Sequence, residues 1–175
     1  MNVPARLFCA CLVIYNVRTM EVFWSELSAG IPDGRQLVVI LMRLVASVIM
    51  GAIIGWERET AGKAAGLRTH ILVTAGTTVF VLGCLGAGFR DDALSRVIQG
   101  IVTGIGFVGA GSIIKRESES SIQGVTTSAG IWMAAAIGVT VGLGGLGLAL
   151  MATALSLVVL RVTLLFEDRS EKSDG

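Results

Sequence analysis

Five long apolar stretches, separated by short polar segments, dominate the pattern of hydrophobic and polar positions along the chain. They cover about residues 36–56, 69–89, 97–114, 127–142 and 143–166. The charge-free run from residue 127 to residue 160 is too long for one membrane crossing, and the glycine-rich GLGGLG at 142–147 predicts a tight hairpin that divides it. Since about 20 apolar residues span the hydrocarbon core as a helix, the pattern predicts an all-α membrane protein with five transmembrane helices.

Basic residues are distributed unequally between the two sides that this topology defines. One side carries seven Lys and Arg residues and the other carries three, or five when Arg6 and Arg18 are included. The seven are Arg58, Lys63, Arg68, Lys115, Arg116, Arg169 and Lys172. Because cytoplasmic loops carry the excess of basic residues, we expect the N-terminus outside and the C-terminus inside.

The composition agrees with a lipid environment and excludes several classes of protein. Hydrophobic residues make up 53% of the chain and charged residues 15%. The 14 Lys and Arg residues nearly balance the 13 Asp and Glu residues, so no basic field favours nucleic acid. Residues 1–35 are predicted to be an N-terminal extension that starts at Met1 or Met20, and residues 167–175 a short cytoplasmic tail. The partner predicted by the composition is membrane lipid.

A repeat is visible when the chain is shifted against itself by 58 residues. Gly51-Ala52 then falls on Gly109-Ala110, and Arg58-Glu59 on Arg116-Glu117. Gly66 and Thr69 fall on Gly124 and Thr127 in the same alignment. We therefore predict a tandem repeat in which helices one and two form a hairpin that is duplicated as helices three and four. Coincidence in a glycine-rich apolar chain is the alternative.

The repeat brings two polar loops to the predicted cytoplasmic side. Each begins with Arg-Glu at a helix end and closes with Gly-x-x-Thr at the next helix start, where free backbone N–H groups and the positive end of the helix dipole lie. With the intramembrane Arg43, these loops supply the predicted binding residues. They are Arg43, Glu57, Arg58, Arg68, Thr69, His70, Thr126 and Thr127.

Several of these residues allow two interpretations. Arg43 either pairs with Asp91 or Asp92 inside the bundle or extends its charge to the interface. His70 is either an interfacial polar residue or a proton relay. As the one histidine it cannot build a metal site alone, and no nucleophile lies at a recognisable spacing from it, so neither an enzyme nor a bound metal or cofactor is predicted.

The glycines of helix three spell G-x-G-x-x-G at 104–109, the pattern of a dinucleotide-binding turn. That function requires a preceding strand, whereas this motif lies inside an apolar span. Close helix packing through the G-x-x-x-G pairs at 51/55, 100/104 and 138/142 is the favoured interpretation. A kinked or unwound helix three that lines a solute path is the alternative. Small-residue faces without a partner also predict a homo-oligomer.

Four stretches together resemble the MgtC/SapB family of bacterial inner-membrane proteins. They are GAIIGWERE at 51–59, AAGLRTH at 64–70, RVIQGIVTGIGFVGAG at 96–111 and GVTTSAGIW at 124–132. The resemblance implies a five-helix, multi-pass domain in the inner (plasma) membrane and a link to magnesium homeostasis or low-magnesium stress adaptation. It also implies action through membrane-protein partners, such as the proton-driven ATP synthase, rather than magnesium pumping. The chain follows the short form, without the cytosolic domain that follows the last helix of MgtC.

Two functional hypotheses follow from the residues and the resemblance. In the first, the protein is a non-enzymatic membrane protein whose cytoplasmic polar residues contact a partner. In the second, it is a small transporter or channel with a path between the two helical hairpins, past Arg43 and the glycines of helix three. The two differ in one structural feature, because a path requires a continuous polar lining through the bundle.

Overall fold

The structure is a computed structural model that describes residues 20–25, 33–115 and 122–171. Five helices and one short ladder follow the chain in order. They are α1 (Gly34–Thr60), α2 (Leu67–Gly86), α3 (Asp91–Ala110), β1 (Ile114–Lys115), β2 (Ile122–Gln123), α4 (Val125–Gly142) and α5 (Leu146–Glu171). The predictions made for residues 1–19, for Arg116 and Glu117 and for residues 172–175 lie outside the described residues.

The chain divides into two compact units, Met1–Val39 and Ile40–Gly175. In the first unit residues 20–25 are helical, and the rings of Phe23 and Trp24 meet edge to face with centroids 5.9 Å apart. Asp33 precedes α1, and its Oδ1 accepts a hydrogen bond from the Gln36 backbone N–H at 3.3 Å. This contact satisfies one of the N–H groups that a helix start leaves without an intrahelical partner.

Four of the described helices are long and apolar enough to cross a membrane. These are α1, α2, α3 and α4, while α5 carries a shorter apolar stretch, Leu146–Val162. Helices satisfy every backbone hydrogen bond within the segment, which is the condition that hydrocarbon imposes. The prediction of an all-α membrane protein is confirmed. Of the five predicted transmembrane helices, four reach spanning length within the described residues, and the apolar stretch of the fifth is shorter.

The helices pack as two hairpins whose contacts repeat. Gly51 of α1 lies against His70 of α2, where a Cβ on the glycine would be 2.8 Å from the His70 carbonyl oxygen. Gly109 of α3 lies against Ser128 of α4, where the atom nearest to an added Cβ is the Ser128 hydroxyl oxygen. Both pairs are related by the 58-residue shift that the sequence shows, so the contacts lie at the positions that the predicted duplication makes equivalent.

Helices α2 and α4 lie side by side and run in the same direction. His70 is opposite Gly130 near their starts, and Val81 is opposite Gly142 near their ends. Thr78 Oγ1 donates a hydrogen bond of 2.8 Å to the Gly138 carbonyl oxygen between them. The two hairpins are therefore parallel copies, and the loop after α1 lies at the same end as the loop after α3.

A small antiparallel ladder connects α3 to α4. Ile114 pairs with Gln123 and Lys115 with Ile122. Gly124, at φ +97°, immediately precedes α4, and a Cβ on it would overlap the Ser112 carbonyl oxygen. This position requires glycine for both its backbone conformation and its space.

The glycines of α3 do not behave as expected. Helix α3 is continuous over its whole length, so the alternative of an unwound segment is wrong. A Cβ at Gly100 or Gly104 would meet nothing within 4 Å, so this G-x-x-x-G pair does not pack against another described helix of the chain. The pairs at 51/55 and 138/142 do pack, and there the added Cβ would collide with a neighbouring helix.

Candidate functional site

A buried ion pair lies in the last turn of α1. Arg58 Nη2 donates to Glu57 Oε1 at 2.7 Å, and Arg58 Nε donates to Oε2 of the same carboxylate. The exposed fraction is 1% for the Arg58 side chain and 5% for that of Glu57. Two charges buried to this degree are stable only when they are paired with good geometry, here through two hydrogen bonds. Either ion alone would be strongly unfavourable because of its lost hydration.

His70, in the first turn of α2, is also fully buried. Its Nδ1 lies 2.9 Å from the Gly66 carbonyl oxygen. Because a carbonyl accepts, Nδ1 is the donor of this hydrogen bond. Nε2 is buried without a hydrogen-bond partner among the described residues and lies beside Gly130 of α4. Glu57 and Arg58 are close enough to act electrostatically on this ring. We call Glu57, Arg58 and His70 the polar cluster.

Helix α4 completes the surroundings of the polar cluster. Thr127 is buried and lies one turn before Gly130, on the same side of α4. The start of α2 is fixed separately, since Glu59 Oε2 accepts a 2.8 Å hydrogen bond from the Leu67 backbone N–H. This capping carboxylate was not predicted from the sequence, where Glu59 was one charge among several in a loop.

The remaining predicted residues of the two loops are nearer the surface. Arg68 and Thr126 are exposed, and Thr69 is half-buried. The structure therefore brings Glu57, Arg58 and His70 together inside the bundle, and Thr127 is buried one turn before Gly130, the residue beside His70. Arg68 and Thr126 lie at the same end but outside that buried group.

Arg43 lies at the opposite end of the bundle and does not belong to the polar cluster. Its Nη1 donates a 2.8 Å hydrogen bond to the Gly142 carbonyl oxygen at the end of α4, and the guanidinium lies over Gly144. Of the two interpretations of Arg43, pairing with Asp91 or Asp92 is wrong, because no ion pair joins Arg43 to either carboxylate among the described residues and the guanidinium binds the Gly142 carbonyl oxygen instead. The C-terminal end of a helix carries partial negative charge on its last carbonyls, so it can bind an arginine as a carboxylate would.

A row of buried threonines on α2 continues from His70 and was not predicted. Thr74, Thr77 and Thr78 are buried, and each hydroxyl donates to a carbonyl of its own helix at 2.8–3.1 Å. Their only sequence signal is a run of threonines in an apolar span. The sequence alone does not indicate which helix these threonines face, because that depends on the register of α2 against α4.

Two further features complete the inventory of candidate sites. Within the described part of the chain, no group of three or more His, Cys, Asp or Glu side chains is placed to hold a metal ion. An apolar groove of about 210 Å³ runs between α3 and α4, with Ile98, Ile105, Trp132 and Val139 among its lining residues.

Comparison with known proteins gives one family and several relatives. The profile of the MgtC family matches residues 44–169, a range that contains the polar cluster and begins one residue after Arg43. No solved structure matches the chain.

Three relatives illustrate the similarity. The chain is 40% identical to the putative magnesium transporter YhiD of Escherichia coli strain K12, over 70% of this chain and 59% of that protein. It is 38% identical to protein SrpB of Synechococcus elongatus, over 67% of this chain and 71% of that protein. It is 38% identical to protein MgtC of Salmonella typhimurium, over 75% of this chain and 54% of that protein. The chain thus spans little more than half the length of YhiD and MgtC.

Proposed function

The chain belongs to the MgtC family, and we propose that it is a non-enzymatic inner-membrane protein linked to magnesium homeostasis or low-magnesium adaptation. In this proposal it acts through contact with membrane-protein partners, such as ATP synthase, and does not pump magnesium. The link to magnesium is supported by the name of the relative YhiD, a putative magnesium transporter. The inner-membrane location is supported by the apolar helices and by bacterial relatives.

The close contact of α2 with α4 is the observation that favours action through a partner protein over magnesium pumping. At Gly138 the backbone of α4 touches α2 so closely that a Cβ would overlap Thr77 Oγ1 and the Thr74 carbonyl oxygen. The threonine hydroxyls are satisfied by carbonyls of α2, and that of Thr78 also by α4. Since the polar face of α2 is filled by backbone, an open polar lining does not run between these two helices.

The exposed residues beside the polar cluster are then the surface offered to a partner. Arg68 is the exposed cation of this group and is in the first turn of α2, next but one to His70. A guanidinium presents five donors in a fixed fork, which suits a carboxylate on a partner protein. The buried polar cluster beneath it holds the helix ends in place.

Arg68→Ala is expected to abolish function without unfolding the protein. In a deletion strain grown across graded magnesium, wild type should restore growth at low magnesium and Arg68→Ala should not, at matched membrane levels. Arg90→Ala is the control, because Arg90 is equally exposed but follows α2 at the opposite end. Full rescue by Arg68→Ala, or equal loss with Arg90→Ala, would remove Arg68 from the working surface.

A small magnesium transporter is the second candidate, favoured by the buried polar row His70, Thr74 and Thr78, which are one turn apart on α2. Proteoliposomes that contain a magnesium-sensing dye distinguish the two candidates. The partner hypothesis predicts uptake no faster than in protein-free vesicles. Uptake that depends on the protein, and that falls in Thr78→Val but not in the exposed-face variant Leu72→Ala, would favour the transporter.

A further inference from the structure

The buried ring of His70 has one nitrogen that the fold leaves without a hydrogen bond. Nδ1 donates to the Gly66 carbonyl oxygen at 2.9 Å, and it can do so in both the neutral and the charged ring. A change of protonation therefore takes place at Nε2. This atom is buried and has no hydrogen-bond partner among the described residues. Such a position is unusual, because buried polar groups are nearly always hydrogen-bonded.

Two glycines hold this residue between α1 and α4. A Cβ on Gly51 of α1 would be 2.8 Å from the His70 carbonyl oxygen, and a Cβ on Gly130 of α4 would be 3.4 Å from Nε2. The whole His70 side chain is removed from solvent by these contacts. Nε2 can therefore take a proton from water only when α2 and α4 separate at this end.

A positive charge on the ring would have no counterion in the closed bundle. The charged groups that act on the ring are Glu57 and Arg58 of α1, and these two already bind each other through two hydrogen bonds. The other charged side chain of α2 is the exposed Arg68, which is also positive. Helix α4 carries no charged residue from Val125 to Gly142. A proton on Nε2 would leave one buried positive charge in excess, which is strongly unfavourable.

The direction of the two helices makes that charge less favourable still. His70 is the fourth residue of α2 and lies against the second turn of α4. Both helices start at this end, so the positive ends of both dipoles are close to the ring. A cation is unfavourable at a helix start for the same reason that it is favourable at a helix end.

We propose that His70 is a pH-sensitive lock on the contact between α2 and α4. Without a proton on Nε2, the starts of the two helices close around the ring. When Nε2 gains a proton, the helices separate at this end and the charged ring moves towards water. The far end, where Val81 is opposite Gly142, stays closed.

The sign of the pH dependence follows from which state binds the proton. The open state binds it and the closed state does not. The closed contact is therefore most stable above about pH 6.5, where an accessible histidine titrates, and weakens as the pH falls below that value. The inference rests neither on the proposed link to magnesium nor on a partner protein.

Distances between pairs of spin labels on the full chain in lipid nanodiscs test the lock. The native cysteines are first replaced, and they are Cys9, Cys11 and Cys84. Leu72→Cys and Trp132→Cys then carry labels on exposed positions two residues after His70 and Gly130. Between about pH 7.5 and about pH 5.5 this pair should move apart by several ångströms. The exposed pair Leu85→Cys and Leu143→Cys, at the far end, should keep its distance.

Two variants decide whether His70 is the group responsible. His70→Asn retains a donor for the Gly66 carbonyl oxygen, and His70→Phe retains a ring, but neither side chain takes up a proton. All carboxylates are unchanged in both variants, and the labels at the locked end should stay close at either pH. The inference is overturned by labels that do not move in the chain with His70, by movement that persists in either folded variant, or by equal movement at the far end.

A second measurement follows the proton itself. Because His70 is the one histidine of the chain, labelling histidine with a nitrogen isotope gives a single pair of ring signals in magnetic resonance. These signals should change to those of the charged ring over the same pH range in which the spin labels move apart. A charged ring with the labels still close, or a ring that stays neutral down to about pH 5.5, would contradict the lock.

Discussion

Replacing Arg58 by alanine is expected to destabilise the folded protein by about 3–5 kcal/mol, the cost of leaving one member of a buried ion pair alone. The Glu57 carboxylate would keep its buried position and lose both hydrogen bonds that Arg58 donates. His70 lies close to the same charges, so the change would also disturb the contact of α2 with Gly130. Unfolding in mild detergent, followed by circular dichroism against added denaturant, measures the loss.

The double variant Glu57→Met, Arg58→Met separates lost charge from lost volume. It removes both ions while keeping side chains of similar length, so we expect it to recover most of the stability that Arg58→Ala loses. Arg90→Ala, at an exposed position, should change stability by less than about 0.5 kcal/mol. If Arg58→Ala cost no more than Arg90→Ala, the ion pair would not support the helix ends.

The five helices and their duplication could be predicted from the sequence because both depend on spacing along the chain. Charge-free stretches set the spans, and the 58-residue shift pairs Gly51 with Gly109 and His70 with Ser128. The structure places these residues in matching contacts. The N-out, C-in orientation stays a prediction from the basic residues.

Contacts between distant helices were less predictable. For Arg43 the sequence allows either a carboxylate partner or extension to the interface, whereas the structure gives it the Gly142 carbonyl oxygen, a backbone atom that every residue carries. No sequence pattern distinguishes one carbonyl from another, so the partner follows only from where α4 ends. The orphaned Nε2 of His70 likewise depends on the alignment of α2 with α4.

The G-x-x-x-G pattern shows why a packing partner could not be predicted from the sequence. It states that a backbone can approach closely, but it does not state which helix approaches. Gly51 and Gly138 are each in contact with α2, whereas Gly100 and Gly104 have no neighbour within 4 Å of an added Cβ. A packing prediction from small residues therefore needs a contact partner before it assigns a role, and for Gly100 and Gly104 no described residue is that partner.

Gly138→Ala is expected to force apart α2 and α4, because it adds a methyl group where their backbones are in contact. The new Cβ would overlap Thr77 Oγ1 and the Thr74 carbonyl oxygen, and the second of these is backbone and cannot rotate away. Helices α2 and α4 would have to separate, which would also break the 2.8 Å hydrogen bond from Thr78 Oγ1 to Gly138. We expect a loss of about 3 kcal/mol, the upper part of the range for overpacking, measured by the same detergent unfolding.

Gly76→Ala makes the same chemical change at a matched position. An added Cβ at Gly76 of α2 meets nothing within 4 Å, so the better helix propensity of alanine should stabilise the protein by up to about 1 kcal/mol. Adding Thr77→Ala to Gly138→Ala removes the hydroxyl but leaves the Thr74 carbonyl, so rescue should be incomplete. Complete rescue would mean that the Thr77 side chain, and not the approach of two backbones, closes the space between α2 and α4. The structural argument against a solute path between these two helices would then fail.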